Sequence, residues 1–122
     1  MKRYPQHILV IDGDDQYRKL VVEILSAKDY VVFSAHDKEM AEFILGNNAI
    51  DLIIENIGKS EHLVSEKLIE KSLHPSKAIP QIIAMSGSPI IAPLSGRIAG
   101  THIKGLDPIE MLLQQVAKIL FE

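Results

Sequence analysis

Asp12, Asn56 and Lys104 are the residues of this chain whose types and spacing bear on chemistry. Each falls at or just past the C-terminal end of a predicted strand. If those strands form a parallel α/β sheet, their ends meet in one crevice. The crevice would then hold a carboxylate, a neutral amide and an ammonium, with Ser86 at the end of a further strand. Asn56 offers a neutral amide, a very poor nucleophile. Mg²⁺ demands near-octahedral oxygen ligation and usually takes one or two carboxylates. Here it would find Asp12, Asp14 and the Asn56 carbonyl oxygen, a weak site. Lys104 also cancels part of the Asp12 charge, which leaves little field to attract a cation. Clustered carboxylates, by contrast, repel one another and take up metal to relieve it.

Alternating segments must position these residues. Ile8-Leu9-Val10-Ile11 is a continuous apolar run with the length and branching of a strand buried on both faces. Tyr17, Leu20, Val21, Ile24 and Leu25 recur at helical spacing behind Asp14 or Asp15 as cap. Tyr30 to Ser34 reads as a second strand. Asp37 caps a helix that Gly46-Asn47-Asn48 stops. Leu52-Ile53-Ile54 forms a third strand ending near Glu55-Asn56, and a helix runs through Val64, Leu68, Ile69 and Leu73. Gln81 to Met85 is the fourth strand. Ser88 to Gly100 contains Pro89, Pro93, Gly96 and Gly100 and predicts an irregular fourth helix, because an interior proline costs about 3 kcal/mol. Thr101 to Ile103 is a short fifth strand. The last helix has Asp107 as cap, Pro108 at its first position and Glu110 completing a capping box.

Strands and helices in alternation imply a doubly wound parallel sheet, with short connections and right-handed crossovers. At 122 residues the chain suits one domain, 1–122, with residues 1–5 as a tail, and its apolar share of 47% supplies a core for that length. The net charge of −3, with signs interspersed, argues against direct nucleic-acid binding. The absence of cysteine removes thiolate and disulfide chemistry. No apolar run reaches the length of a membrane span, so a cytoplasmic domain without membrane contact is expected. The five histidines, His7, His36, His62, His74 and His102, show no metal-ligand spacing and are expected at the solvated surface. Ile90 to Leu94 is expected to tuck onto the sheet rather than form a docking patch.

In order and spacing these features resemble a response-regulator receiver domain of the CheY-like family, over nearly the whole chain. Ile8 to Asp12 resembles the first strand running into an acidic pair. Arg18 falls where that family often has arginine. Asp51 to Asn56 resembles the strand that ends in the phosphoacceptor, Pro80 to Gly87 the fourth strand with its hydroxyl residue, and Lys104 the family lysine. The resemblance implies a flavodoxin-like sheet of order 2-1-3-4-5 and a role in two-component phosphorelay signalling. Four departures accompany it. Gly13 replaces the second acid, Asn56 the acceptor aspartate and Gly105 a proline, and no aromatic precedes Lys104 among Thr101, His102 and Ile103.

Asp12, Gly13, Asn56, Ser86 and Lys104 thus read as a degenerate phosphorylation pocket, with no catalytic residue, no enzymatic activity and no resident cofactor expected. The chain is expected to act as a phosphorylation-independent interaction module. Its partners would be a histidine kinase, an output protein or a second copy, met through the face around residues 88–121. The alternative is a working phosphoacceptor using Asp14 or Glu55 with Mg²⁺. Strand alternation turns Glu55 away from the crevice, and Asp14 suits the cap of the first helix. A flavodoxin-like mononucleotide binder is a third reading, opposed by the lack of a phosphate-binding loop after the first strand.

Overall fold

The structure is a computed structural model that describes residues 5–57, 64–72, 79–88 and 98–121. Its elements are β1 (His7–Ile11), α1 (Asp15–Ser26), β2 (Val31–Ala35), α2 (Lys38–Asn47), β3 (Leu52–Asn56), α3 (Val64–Ser72), β4 (Gln81–Ser86), β5 (Ile98–Ile103) and α4 (Ile109–Phe121). The strands form one parallel sheet, as the alternation of elements predicts, and its order is the β2-β1-β3-β4-β5 that the family resemblance implies. The strand order reverses at β1, which places the crevice at the C-terminal ends of β1 and β3.

Two cores follow from the period-2 alternation of the central strands. Leu9, Ile11, Ile53, Ile82 and Ala84 meet α2 and α3 through Ala41, Ile44, Leu45, Leu68 and Ile69. Ile8, Val10, Leu52, Ile54, Ile83 and Met85 meet α1 and α4 through Val21, Leu25, Leu112, Val116 and Leu120. Burial on both faces explains why these strands are continuous apolar runs.

The helix starts rest on short side chains. Asp14 caps α1 by accepting from the Gln16 and Tyr17 N–H groups, and Asp37 caps α2 by accepting from Met40 N–H at 2.9 Å. Asp107 behaves differently from the expected cap. Its Oδ2 accepts from Ile103 N–H at 2.8 Å, so the carboxylate closes the turn between β5 and α4.

β5 begins at Ile98, three residues before the expected start. Its pairing with β4 shifts between Ile82↔Ile98 and Ile83↔Gly100, leaving Ala99 as an extra residue. This bulge breaks the alternation by which a strand is recognised. Gly100 lets Gln115 lie close over β5: a Cβ there would lie 2.1 Å from Gln115 Oε1 and displace that side chain, whose amide donates to Thr101 O at 2.9 Å. The expected irregular fourth helix and the Ile90–Leu94 segment lie outside the described residues. Among the described residues, no helix is long and apolar enough to cross a membrane.

Candidate functional site

The sheet register aligns the strand ends. Ile11 lies opposite Glu55, Asn56 opposite Met85 and Ser86 opposite Ile103. One step further, Asp12 follows β1 and Lys104 follows β5, with the Lys104 N–H donating to Ser86 O at 2.8 Å. Asp12, Asn56, Ser86 and Lys104 therefore sit along one end of the sheet. Gly13 is exposed beside them.

Asp12 is the most constrained of these. Its N–H donates to Ala35 O at 3.0 Å, and its carbonyl accepts from Arg18 Nη1 at 2.7 Å. Its Oδ1 accepts from Asp14 N–H at 2.9 Å. Its Oδ2 lies 2.5 Å from Lys104 Nζ, with side-chain exposures of 1% for the acid and 15% for the lysine. This contact is an ion pair of close charges and not an aligned hydrogen bond, since among the described residues Oδ2 has no partner in hydrogen-bond geometry. Arg18 also donates from Nε to Ser34 Oγ at 2.9 Å and pairs with Asp15 at 2.6 Å, which ties β1, β2 and α1 together behind the aspartate. The Arg18 hydrogen bond and charge hold the Asp15 carboxyl below its ordinary pKa.

The remaining candidates have duties of their own. Ser86 Oγ accepts from Ser88 N–H at 3.2 Å and closes a local turn. Asp14 is committed to the α1 cap. Glu55 points to the opposite face of the sheet, as strand alternation predicts. It is 2% exposed, and its Oε2 and Oε1 accept from the Val64 and Ser65 N–H groups at 2.6 and 2.9 Å. A strand residue thereby caps the start of α3. Burial raises the Glu55 pKa, partly offset by its hydrogen bonds from Ser65 and Val64.

Two residues complete the site that their sequence context does not announce. Lys104 Nζ lies 4.7 Å from the centroid of the Tyr17 ring, within cation–π range. The Tyr17 hydroxyl lies 2.9 Å from Nε2 of His102. His102 is wholly buried, which corrects the expectation that the histidines are surface residues. His7 departs from it too, half-buried with Nδ1 3.0 Å from Ala49 O, while His36 is exposed. His62 and His74 lie outside the described residues. His102 stands opposite Met85 in the sheet, so its ring enters the layer of α1 and α4. Burial lowers its pKa, and the Lys104 charge acts in the same direction, against the Asp107 charge. Burial raises the Tyr17 pKa, assisted by the charges of Asp12 and Asp107. The result is a chain of contacts, Asp12 to Lys104 to Tyr17 to His102.

Gly105 follows Lys104 with φ +77°, a conformation that glycine adopts freely and proline cannot, since its ring holds φ near −65°. The loop after β5 is therefore built on a different backbone from one carrying proline at that position.

The donor set does not fit a magnesium ion. Asp12 is already neutralised by Lys104, Gly13 has no side chain and Asn56 carries no charge. Among the described residues, no three acidic, histidine or cysteine side chains converge in a way that could hold a metal. The contacts present can anchor the loop after β5 and fix the end of that strand.

No family model matches the chain, and no curated protein matches it. Solved structures do. The chain is similar to the response regulator TrrA of Thermotoga maritima, solved in complex with Mg²⁺–BeF, with 23% identity and a TM-score of 0.75 over 94% of this chain and 99% of that one. It is similar to a two-component response regulator from Clostridium difficile, with 22% identity and a TM-score of 0.74 over 96% and 97% of the two chains. It is also similar to the receiver domain of the hybrid histidine kinase CckA, with 24% identity and a TM-score of 0.69 over 93% and 98%. The β2-β1-β3-β4-β5 sheet, with Asp12, Asn56 and Lys104 at its strand ends, thus has the fold of a response-regulator receiver domain.

Proposed function

We propose that the chain is a receiver-like signalling module of two-component type that works through protein contacts and independently of phosphorylation. The observation that carries this reading is the Asp12–Lys104 ion pair at the same end of the sheet as Asn56. A receiver needs an anionic oxygen in line with the phosphorus and a metal to neutralise the equatorial oxygens. Asn56 lacks the first, and the Asp12 carboxylate is occupied. The contacts would be made with a histidine kinase, an output protein or a second copy, through the part of the 88–121 face that includes β5 and α4. Exposed Leu106 and Met111 lie on that face. A cytoplasmic setting, with no resident cofactor and no enzymatic role, belongs to the same proposal.

The test is incubation with Mg²⁺ and acetyl phosphate, followed by intact mass measurement. No adduct is expected, and none with beryllofluoride. A base-labile phosphoryl adduct on Asp12, Asp14 or Glu55 overturns the proposal.

A further inference from the structure

His102 is a buried titratable group to which the proposed function assigns no task. The groups facing it come from several elements. Tyr17 of α1 lies at hydrogen-bond distance from Nε2. Lys104 and Asp107, from the loop after β5, act on it by charge. β4 places Met85 opposite it, and α4 turns Leu112 and Val116 into the same apolar layer. Asp12 lies one contact further, behind Lys104. Among the described residues, the second ring nitrogen, Nδ1, is buried with no hydrogen-bond partner.

A neutral imidazole suits this arrangement better than a charged one: with the proton on Nε2, Nδ1 leaves only a lone pair unpaired. One proton is shared between Nε2 and the Tyr17 hydroxyl, with one group donating and the other accepting. Adding a proton from solvent makes both ring nitrogens donors. Tyr17 can accept one of these hydrogen bonds. The other N–H would be a buried cationic donor with nothing to accept it, near the Lys104 ammonium. The nearest relief is the Asp107 carboxylate, which already accepts from Ile103 N–H and closes the turn into α4.

We infer that His102 is an acid-sensitive latch. Neutral, it ties β5 to α1 through Tyr17, whose ring seats Lys104 against Asp12. Protonated, it leaves that position, draws on Asp107 and loosens the end of β5 and the turn into α4. The input to the interaction face would then be a proton. This inference rests on the reading of that face as the output surface. It does not rest on whether the crevice can be phosphorylated.

The experiment uses the whole chain. The His102 ring is titrated by NMR, and amide hydrogen exchange is followed from pH 7.5 to pH 5, corrected for intrinsic rates. His102 should titrate below its ordinary value of 6.5. Exchange at Thr101, Ile103, Lys104 and Asp107 should rise by up to about tenfold per pH unit as pH falls from 6.5 towards that lowered midpoint and level off below it, while β1 and β3 stay protected. His102→Gln should remove this step. Tyr17→Phe keeps the ring under Lys104 but lacks the hydroxyl, and should raise exchange at the same amides already at pH 7.5. If His102→Gln does not fold, the Tyr17→Phe result decides. Titration of His102 at an ordinary value, equal loosening in His102→Gln, no change in Tyr17→Phe, or loss of protection across all strands together overturns the latch. A phosphoryl adduct with acetyl phosphate would overturn the proposed function and leave this result standing.

Discussion

The two faces of the sheet dispose of buried polarity in different ways. On the α2/α3 face, Glu55 is held by two backbone N–H groups at the start of α3. On the α1/α4 face, Asp12, Lys104, Tyr17 and His102 hold one another through side chains from β1, α1, β5 and the loop beyond. Backbone amides at a helix start are fixed as long as the helix exists, and they cannot change charge. A chain of side chains can be cut at any member, and one member, His102, is an imidazole whose pKa burial lowers. The first face is therefore suited to permanence and the second to response.

The largest test of this contrast is Lys104→Met. It leaves the Asp12 carboxylate buried without its cation and should cost about 3 kcal/mol in denaturant unfolding. Adding Asp12→Asn should restore most of that loss, because the penalty comes from the orphaned charge. No recovery in the double variant would show that the two residues are independent. Glu55→Ala should cost about 2 kcal/mol by stripping the Val64 and Ser65 N–H groups of their acceptor. Its damage should stay local, with exchange rising in α3 before β5. Tyr17→Phe should cost about 1 kcal/mol, one hydrogen bond, because its ring still underlies Lys104.

The smallest effect has the sharpest sign. Burial raises the Glu55 pKa above its ordinary 4.5, so the folded state keeps that proton more tightly than the unfolded chain. Its contribution to stability is present below that value and falls as pH rises above it. Burial lowers the His102 pKa below 6.5, so the folded state gives up that proton more readily. Its contribution is present above pH 6.5 and is lost on acidification. In paired melts across this range, Glu55→Gln should gain on the wild type as pH rises. His102→Gln should gain on it as pH falls. Parallel pH profiles for the two variants would erase the distinction between the faces.

Much of this was legible in the amino-acid order. Apolar runs before Asp12 and Asn56 marked two of the strand ends, because central strands buried on both faces are mostly apolar. Alternation turned Glu55 away from the crevice, although nothing in its neighbourhood announced that α3 would supply its partners. The α3 amides that hold it come from residues nine and ten positions away. His102 was read as solvated because its partner, Tyr17, lies 85 residues earlier and looked like one more member of an apolar helix stripe. β5 began earlier than its pattern suggested because the extra residue at Ala99 interrupts the alternation. Asp107 looked like a helix cap by its position before Pro108, but the turn behind it took the carboxylate first.

Gly13 has one more implication. Among the described residues, a Cβ built there would meet His36 O alone, at 3.8 Å, an ordinary contact. No described neighbour imposes a glycine at this point by steric demand. The pocket is therefore editable. Gly13→Asp with Asn56→Asp would place two more carboxylates beside Asp12 without reshaping the loop. Magnesium calorimetry on that double variant would show whether Lys104 yields Asp12 to a stronger competitor. Heat of binding would mean the scaffold can still be charged, and silence would mean the ammonium keeps possession.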